Sequence, residues 1–196
     1  MKKTFLTLAV LLCSLAGMAQ RPSVSILGDS YSTFEGYLTP DTMDIWYFAG
    51  SKRDARRTDV SKVGETWWMQ LIKKRDWKLE VNNSWSGSTI CYTGYRDEDY
   101  SNRSFVLRTA ALGSPDIILI FGGTNDSWAG SPIGEYKYAD LRRADLYTFR
   151  PAMACMLARI QERYPTADVY FISNDGLKPE ITESMVEICK HYGVPL

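Results

Sequence analysis

Apolar positions along this chain follow two alternating rhythms: short continuous runs, and stretches in which they return every three or four residues. Val24-Ser25-Ile26-Leu27 reads as a short strand that stops at Gly28. From Thr66 to Arg75, the spacing of Trp67, Trp68, Leu71 and Ile72 predicts one apolar helix face. Lys78 to Val81 reads as a second strand, ended by the polar cluster Asn82-Asn83-Ser84. A helix is expected around Arg103 to Leu112, closed by Gly113-Ser114-Pro115. Ile117-Ile118-Leu119-Ile120-Phe121 is apolar on both faces, as suits a central parallel strand covered by helices. Met153, Met156, Leu157 and Ile160 recur at helical spacing, with Pro151 suited to that helix's first turn. Those methionines read as core filler. Val169-Tyr170-Phe171-Ile172 is a fourth strand, and Ile181, Met185, Ile188 and Tyr192 mark a helix that Gly193 ends. Val194-Pro195-Leu196 begins a fifth strand.

Strands alternating with helices imply a three-layer α/β/α sandwich around a central parallel sheet. No repeat, low-complexity tract or linker divides residues 20–196, so they are expected to form one domain. In such sheets the site lies beyond the C-terminal ends of the strands, near a topological switch point. The loops after Leu27, Val81 and Phe121 are therefore where chemistry is to be sought.

The first 19 residues have a separate logic. Lys2 and Lys3 precede the apolar run Phe5 to Leu12, and Gly17-Met18-Ala19 supplies small residues at the end. This pattern predicts a secretory signal peptide cleaved after Ala19, and an exported, periplasmic or secreted protein. A membrane anchor is the weaker alternative, because the run is short for a bilayer. A lipoprotein anchored through Cys13 is weaker still, since Leu12 stands where a small residue is expected.

Removing the two signal lysines leaves 21 basic against 23 acidic residues, a net charge of −2. That balance offers no electrostatic footprint for nucleic acid or an anionic membrane. Cys91, Cys155 and Cys189 remain, an odd number without close spacing, so no disulfide framework is expected. Neither a metal-type cluster nor a cofactor motif stands out. Gly28-Asp29-Ser30 lacks the glycine spacing or basic residue of a phosphate-cradling loop, which ranks a flavodoxin-like nucleotide or flavin binder last.

Each of the three loops has an ordinary reading when taken alone. Gly28-Asp29-Ser30 is a common turn, Ser86-Gly87-Ser88 another, and Asn125-Asp126 a frequent turn or helix cap. Their chemical readings are also specific. Ser30 one tight turn past a strand suits a nucleophile, with local N–H groups near a developing oxyanion. Gly87 can bring its N–H close to a substrate, and Asn125 can donate a side-chain N–H. The order serine, glycine, asparagine after successive parallel strands changes the weighing.

With Gly28-Asp29-Ser30, Gly87, and Gly123-Thr124-Asn125-Asp126 in place, the chain resembles the SGNH (GDSL-like) hydrolases across its mature length. The resemblance implies a flavodoxin-like SGNH fold and a serine esterase. It also implies Ser30 as nucleophile and an oxyanion hole of the Ser30 N–H, the Gly87 N–H and the Asn125 amide. The family's base is a histidine in an Asp-x-x-His block, in the loop after the last strand. His191, the sole histidine, has Ile188 three residues before it and precedes the fifth strand, so it does not match. The expectation is that the last strand and a C-terminal segment carrying the block lie beyond Leu196. A natural truncation and a degenerate homologue are the alternatives.

Trp46, Tyr47, Phe48, Trp85, Tyr92, Tyr95, Trp128, Tyr136 and Tyr138 gather near these loops. Two readings stand side by side: flat faces for a sugar ring, or packing of long loops. An esterase removing acetyl or other short acyl groups from a glycan or small molecule is the functional expectation. A lipase or lysophospholipase, and a non-catalytic carbohydrate-binding or interaction protein, are the alternatives. No stable membrane insertion is expected after signal removal. Intact-mass measurement of the protein recovered from the cell envelope or medium should give a chain starting at Gln20. Retention of Met1 to Ala19 would refute the cleavage assignment.

Overall fold

The computed structural model describes residues 20–50 and 60–196. The proposed signal peptide, with Cys13, lies outside the described residues. Four strands, β1 (Ser23–Gly28), β2 (Lys78–Ser84), β3 (Ile117–Phe121) and β4 (Asp168–Ile172), form one parallel sheet in the order β2-β1-β3-β4. The order reverses between β1 and β3, which opens the crevice where doubly wound folds bind ligands.

The two-residue period of the strands sorts their side chains onto two faces. Val24, Ile26, Ile117 and Leu119 pack with Trp68 and Ile72 of helix α1 (Trp67–Arg75). Leu27, Ile118, Ile120 and Phe171 join the larger core on the other face. That core is built by α2 (Phe105–Arg108), α4 (Phe149–Arg163) and α5 (Pro179–Tyr192), and it buries Met153, Met156, Leu157 and Ile160. A short helix α3 (Thr124–Ala129) follows β3 directly. The result is the expected three-layer α/β/α sandwich. None of the described helices is long and apolar enough to cross a membrane.

Three elements differ from the pattern reading, the first two through tertiary partners that local sequence does not reveal. β2 continues through Asn82, Asn83 and Ser84, all buried. Their polarity is satisfied in place: Asn82 Nδ2 donates to Ser32 O at 2.9 Å, Asn83 Nδ2 to Ala111 O at 3.2 Å, and Ser84 Oγ to Asn82 Oδ1 at 2.6 Å. The helix expected from Arg103 to Leu112 is a single turn, capped by Ser104 through its bond from Leu107 N. It stops because Tyr164 captures the chain beyond it. The Tyr164 hydroxyl donates to Thr109 O at 3.0 Å and accepts from Leu112 N at 3.1 Å. Val194–Leu196 is not a full strand, but Phe171 N donates to Pro195 O at 2.9 Å, so the segment lies along β4.

Replacing Tyr164 with Phe strands a buried carbonyl and a buried N–H. The expected cost is about 1–3 kcal/mol, read as a lower midpoint in urea denaturation. A wild-type midpoint would mean that Tyr164 does not set the end of α2.

Candidate active site

Gly28 pairs in register with Ser84 on one side and with Phe121 on the other. The three strands therefore end level, and their following loops leave side by side from one edge. Ser30 opens a single 3-10 turn, Ser30–Ser32, capped by Asp29, whose Oδ1 accepts from Tyr31 N at 3.1 Å. The Ser30 hydroxyl makes no hydrogen bond among the described residues and is part-exposed.

The second loop is tied to the first, because Trp85 N donates to Gly28 O at 3.1 Å. Gly87 has φ +80°, with open space where a Cβ would stand. Backbone conformation therefore selects glycine here, and the Gly87 N–H has no partner among the described residues.

The third loop is held by a steric constraint. At Gly123, φ is +87°, a conformation that strains any other residue, and a Cβ would also lie 1.9 Å from Met185 Cε, so this turn into α3 favours glycine. Asn125, buried in the first turn of α3, donates through Nδ2 to Ser88 O at 2.9 Å and accepts at Oδ1 from the Tyr95 hydroxyl at 2.9 Å. A backbone carbonyl can only accept, so these contacts fix the amide's orientation and leave one Nδ2 hydrogen uncommitted. Asp126 accepts from Ile90 N at 2.8 Å and Cys91 N at 3.1 Å, which anchors the chain just past Gly87. The turn and cap readings of Asn125-Asp126 do not hold, since both side chains bond the second loop. Hydrogen bonds thus connect the Ser30, Gly87 and Asn125 loops into one cluster.

Beneath it lies Arg108, only 4% exposed. Its guanidinium donates to Asn83 O, to Gly28 O at 3.1 Å and to Ser88 Oγ at 2.8 Å, and its Nε to Arg103 O at 2.9 Å. Burial pulls its pKa down to about 9 while the Asp29 charge opposes the shift, so it stays charged at neutral pH. Asp29 is fully buried, and burial pushes its pKa up to about 7 against the Tyr31 N–H, Thr124 and Arg108. The Thr124 hydroxyl acts on the carboxylate without closing a hydrogen bond of ordinary geometry. Burial likewise pushes Asp126 up to about 6.

Pattern reading gave Arg108 no place, and named Asp29 and Asp126 only within the motifs and Tyr95 only among the aromatics near the loops. Arg108 left a signal nonetheless, a charged residue three positions after Phe105 on an apolar face that continues to Leu112. The gathered aromatics divide. Trp128 is 56% exposed and meets Tyr31 edge-on at 6.4 Å, while Tyr31 stacks on Phe121 at 6.0 Å. Trp85 donates through Nε1 to Asp44 Oδ2 at 2.9 Å. Tyr47 and Tyr92 are buried, Trp46 packs against the same core as Tyr47, and Phe48 is half-buried. Tyr136 and Tyr138 stack on each other at 6.4 Å, Tyr136 beside Arg150 of α4 and Tyr138 against exposed His191 at 3.7 Å. His191 sits in the last turn of α5, which runs back from the edge where Ser30 lies. A groove of about 480 Å³ beside Asp168, Tyr170, Val194 and Pro195 also lies away from Ser30. The three cysteines are buried and free, and no cluster of metal-ligating side chains occurs among the described residues.

This arrangement of sheet and loops is the architecture of the SGNH hydrolases. Residues 22–196 match the GDSL-like Lipase/Acylhydrolase family, to which the chain belongs. A solved protein from Bacteroides ovatus, named as a GDSL-like lipase, is 56% identical, with 90% of this chain and 84% of that one covered at a TM-score of 0.87. A second from Bacteroides uniformis, likewise named, is 54% identical, with 89% and 81% covered at 0.86. A family two carbohydrate esterase from Clostridium thermocellum, solved with cellohexaose, shares the fold at 14% identity, with 89% and 51% covered at 0.51. Among curated proteins, none matches the chain.

The buried carboxylates make stability pH-dependent in a definite direction. A carboxyl raised in the folded state favours folding while protonated, and that contribution disappears as pH rises through its folded pKa. Between pH 5 and 8 the unfolded Asp29 is ionised throughout, whereas the folded one passes through its pKa of about 7. The expected loss is on the order of 3 kcal/mol. Urea midpoints should fall over this range in the wild type and fall much less in Asp29→Asn. Equal pH dependence in both proteins would show that Asp29 does not carry the effect.

Proposed function

We propose that the protein is an exported serine esterase that removes acetyl or other short acyl groups from a glycan. The observation that carries the reading is the level ending of three adjacent strands, which brings Ser30, Gly87 and Asn125 into one hydrogen-bonded cluster. Ser30 Oγ attacks the ester carbonyl carbon while a base takes its proton. The carbonyl π electrons move to oxygen, and this oxyanion receives the N–H groups of Ser30 and Gly87 and the uncommitted Asn125 Nδ2–H. Collapse expels the alcohol, which takes the proton back from the base. Water activated by the same base then hydrolyses the acyl-Ser30 ester.

His191 is a poor base for this step, because it faces Tyr138 on α5. The base the step calls for is a histidine of the kind the family carries in its Asp-x-x-His block. The glycan reading draws support from Trp128, whose exposed indole stands beside Tyr31 and therefore beside Ser30. An indole face of this kind suits the apolar face of a sugar ring. The position of His191 favours a second reading, a non-catalytic carbohydrate-binding protein on the same scaffold.

The protein expressed from its natural reading frame is expected to hydrolyse a small activated acetyl ester. Ser30→Ala should remove nearly all turnover, Asn125→Ala should lower it about 10²–10³-fold, and His191→Ala should leave it within a few-fold. Trp128→Ala should raise KM for an acetylated oligosaccharide about tenfold, roughly the 1.4 kcal/mol scale of one aromatic contact, and spare the small ester. Turnover that survives Ser30→Ala would sink the esterase assignment. Oligosaccharide binding without turnover would favour the second reading, and an unchanged KM in Trp128→Ala would remove the glycan.

A further inference from the structure

Asn125 has two side-chain partners among the described residues, Ser88 O and the Tyr95 hydroxyl. The first belongs to the oxyanion loop itself. The second arrives from a separate excursion, residues 93–100, whose backbone is unusual. Arg96 and Asp97, the two residues after Tyr95, both adopt left-handed conformations, with φ of 59° and 58°. Neither is glycine, so each carries steric strain that the surroundings must impose.

Those surroundings are visible. Gly94 N donates to Glu98 O at 2.9 Å, Glu98 N to Tyr95 O at 3.2 Å, and Thr93 bridges Asp99. The Tyr100 ring fills the space beside Gly94, where a Cβ would lie 2.3 Å from it. At its root, Thr93 donates through Oγ1 to Tyr147 O at 2.7 Å and accepts at its carbonyl from Ser131 Oγ at 2.9 Å. The tight closure holds the phenol in a single place, on the carbonyl end of the Asn125 amide.

We propose that Tyr95 is a positioning residue for the oxyanion donor: its hydroxyl locks the Asn125 amide so that the uncommitted Nδ2–H stays aimed into the site. The proposal rests on the esterase reading of Ser30, Gly87 and Asn125. An amide held only at Nδ2 can swing about its last torsion, and a swung amide presents its hydrogen off the oxyanion direction. Donation to Oδ1 removes that freedom and also polarises the amide, which strengthens its N–H as a donor. Burial raises the phenol's pKa, so it remains a protonated donor across the neutral range.

The test is a double-mutant cycle on an activated acetyl ester, with Tyr95→Phe, Asn125→Ala and the double variant beside the wild type. Tyr95→Phe is expected to lower kcat about tenfold with KM within about twofold. In the Asn125→Ala background the same change should alter kcat less than about twofold, because its effect passes through the missing amide. Ser30-dependent activity with an unchanged kcat in Tyr95→Phe overturns the proposal, and so does an equal loss in both backgrounds. Activity independent of Ser30 would instead remove the esterase reading. A second measurement does not need turnover. The Asn125 side-chain amide pair in a ¹⁵N-edited spectrum, identified by its loss in Asn125→Ala, should shift and exchange faster with solvent in Tyr95→Phe. An unchanged pair would also overturn the proposal, whatever the outcome for Ser30.

Discussion

The chemistry-bearing edge of this molecule depends on one buried guanidinium. Arg108 reaches the last carbonyl of β1, at Gly28, the next-to-last of β2, at Asn83, and the hydroxyl of Ser88 in the second loop. Carbonyls at the end of a strand lose their ladder partners and must find donors elsewhere. A planar fork with five N–H groups can serve several at once, which a lysine ammonium on a flexible stem cannot do with the same geometry. The cost is desolvation of a full positive charge. Asp29 offsets part of it by Coulombic attraction, at its own expense, since its carboxyl is driven up to about 7 by burial.

From this staple the three loops acquire their relative positions. Ser88 receives Arg108 at its hydroxyl and Asn125 at its carbonyl, so the second loop is clamped from below and from the side. Asp126 holds two backbone N–H groups just past Thr89, at Ile90 and Cys91. Among the described residues, a small set of donors remains uncommitted, the Ser30 and Gly87 N–H groups and one Asn125 hydrogen. In the proposed esterase, donors fixed in this way would not have to reorganise as charge develops on a substrate, which is the condition under which such donors are worth most. Strained or costly features gather here for the same reason: the left-handed pair Arg96 and Asp97, Gly123 pressed against Met185, and two buried carboxylates.

Much of the fold was legible because it rests on local periodicity. The doubly apolar run Ile117 to Phe121 can only be a strand covered on both faces, and the spacing of Met153, Met156, Leu157 and Ile160 declares a core helix. The polar end of β2 was not legible, because Asn82 and Asn83 are made tolerable by Ser32 and Ala111, partners distant in sequence. The short α2 escaped for the same reason, its end being set by Tyr164 more than fifty residues onward. Within the site, Ser30, Gly87 and Asn125 stood out because each follows a strand in the order a known family uses. Tyr95 stood out only as one of nine aromatics near the loops, with no hint of a hydrogen-bonding role. Its role depends on two left-handed residues that no propensity favours, so only the closed loop reveals it.

Topology also decides what His191 can do. In a parallel sheet every helix runs back from the strands' C-terminal edge toward the opposite one. α5 begins near that edge, where Ile181 and Met185 pack against the Gly123 turn. His191 is twelve residues beyond Pro179, and a helix rises about 1.5 Å per residue, so it lies roughly 18 Å further along the axis. Its neighbours agree, since Gly193 and Val194 share a groove with Asp168 at the start of β4. No rotamer of an imidazole spans such a distance. In the proposed mechanism, a base for Ser30 would have to reach the edge as Ser30, Gly87 and Asn125 do, on a loop that follows a strand. The motif mismatch at Ile188 and the direction of the chain through α5 agree in setting His191 aside.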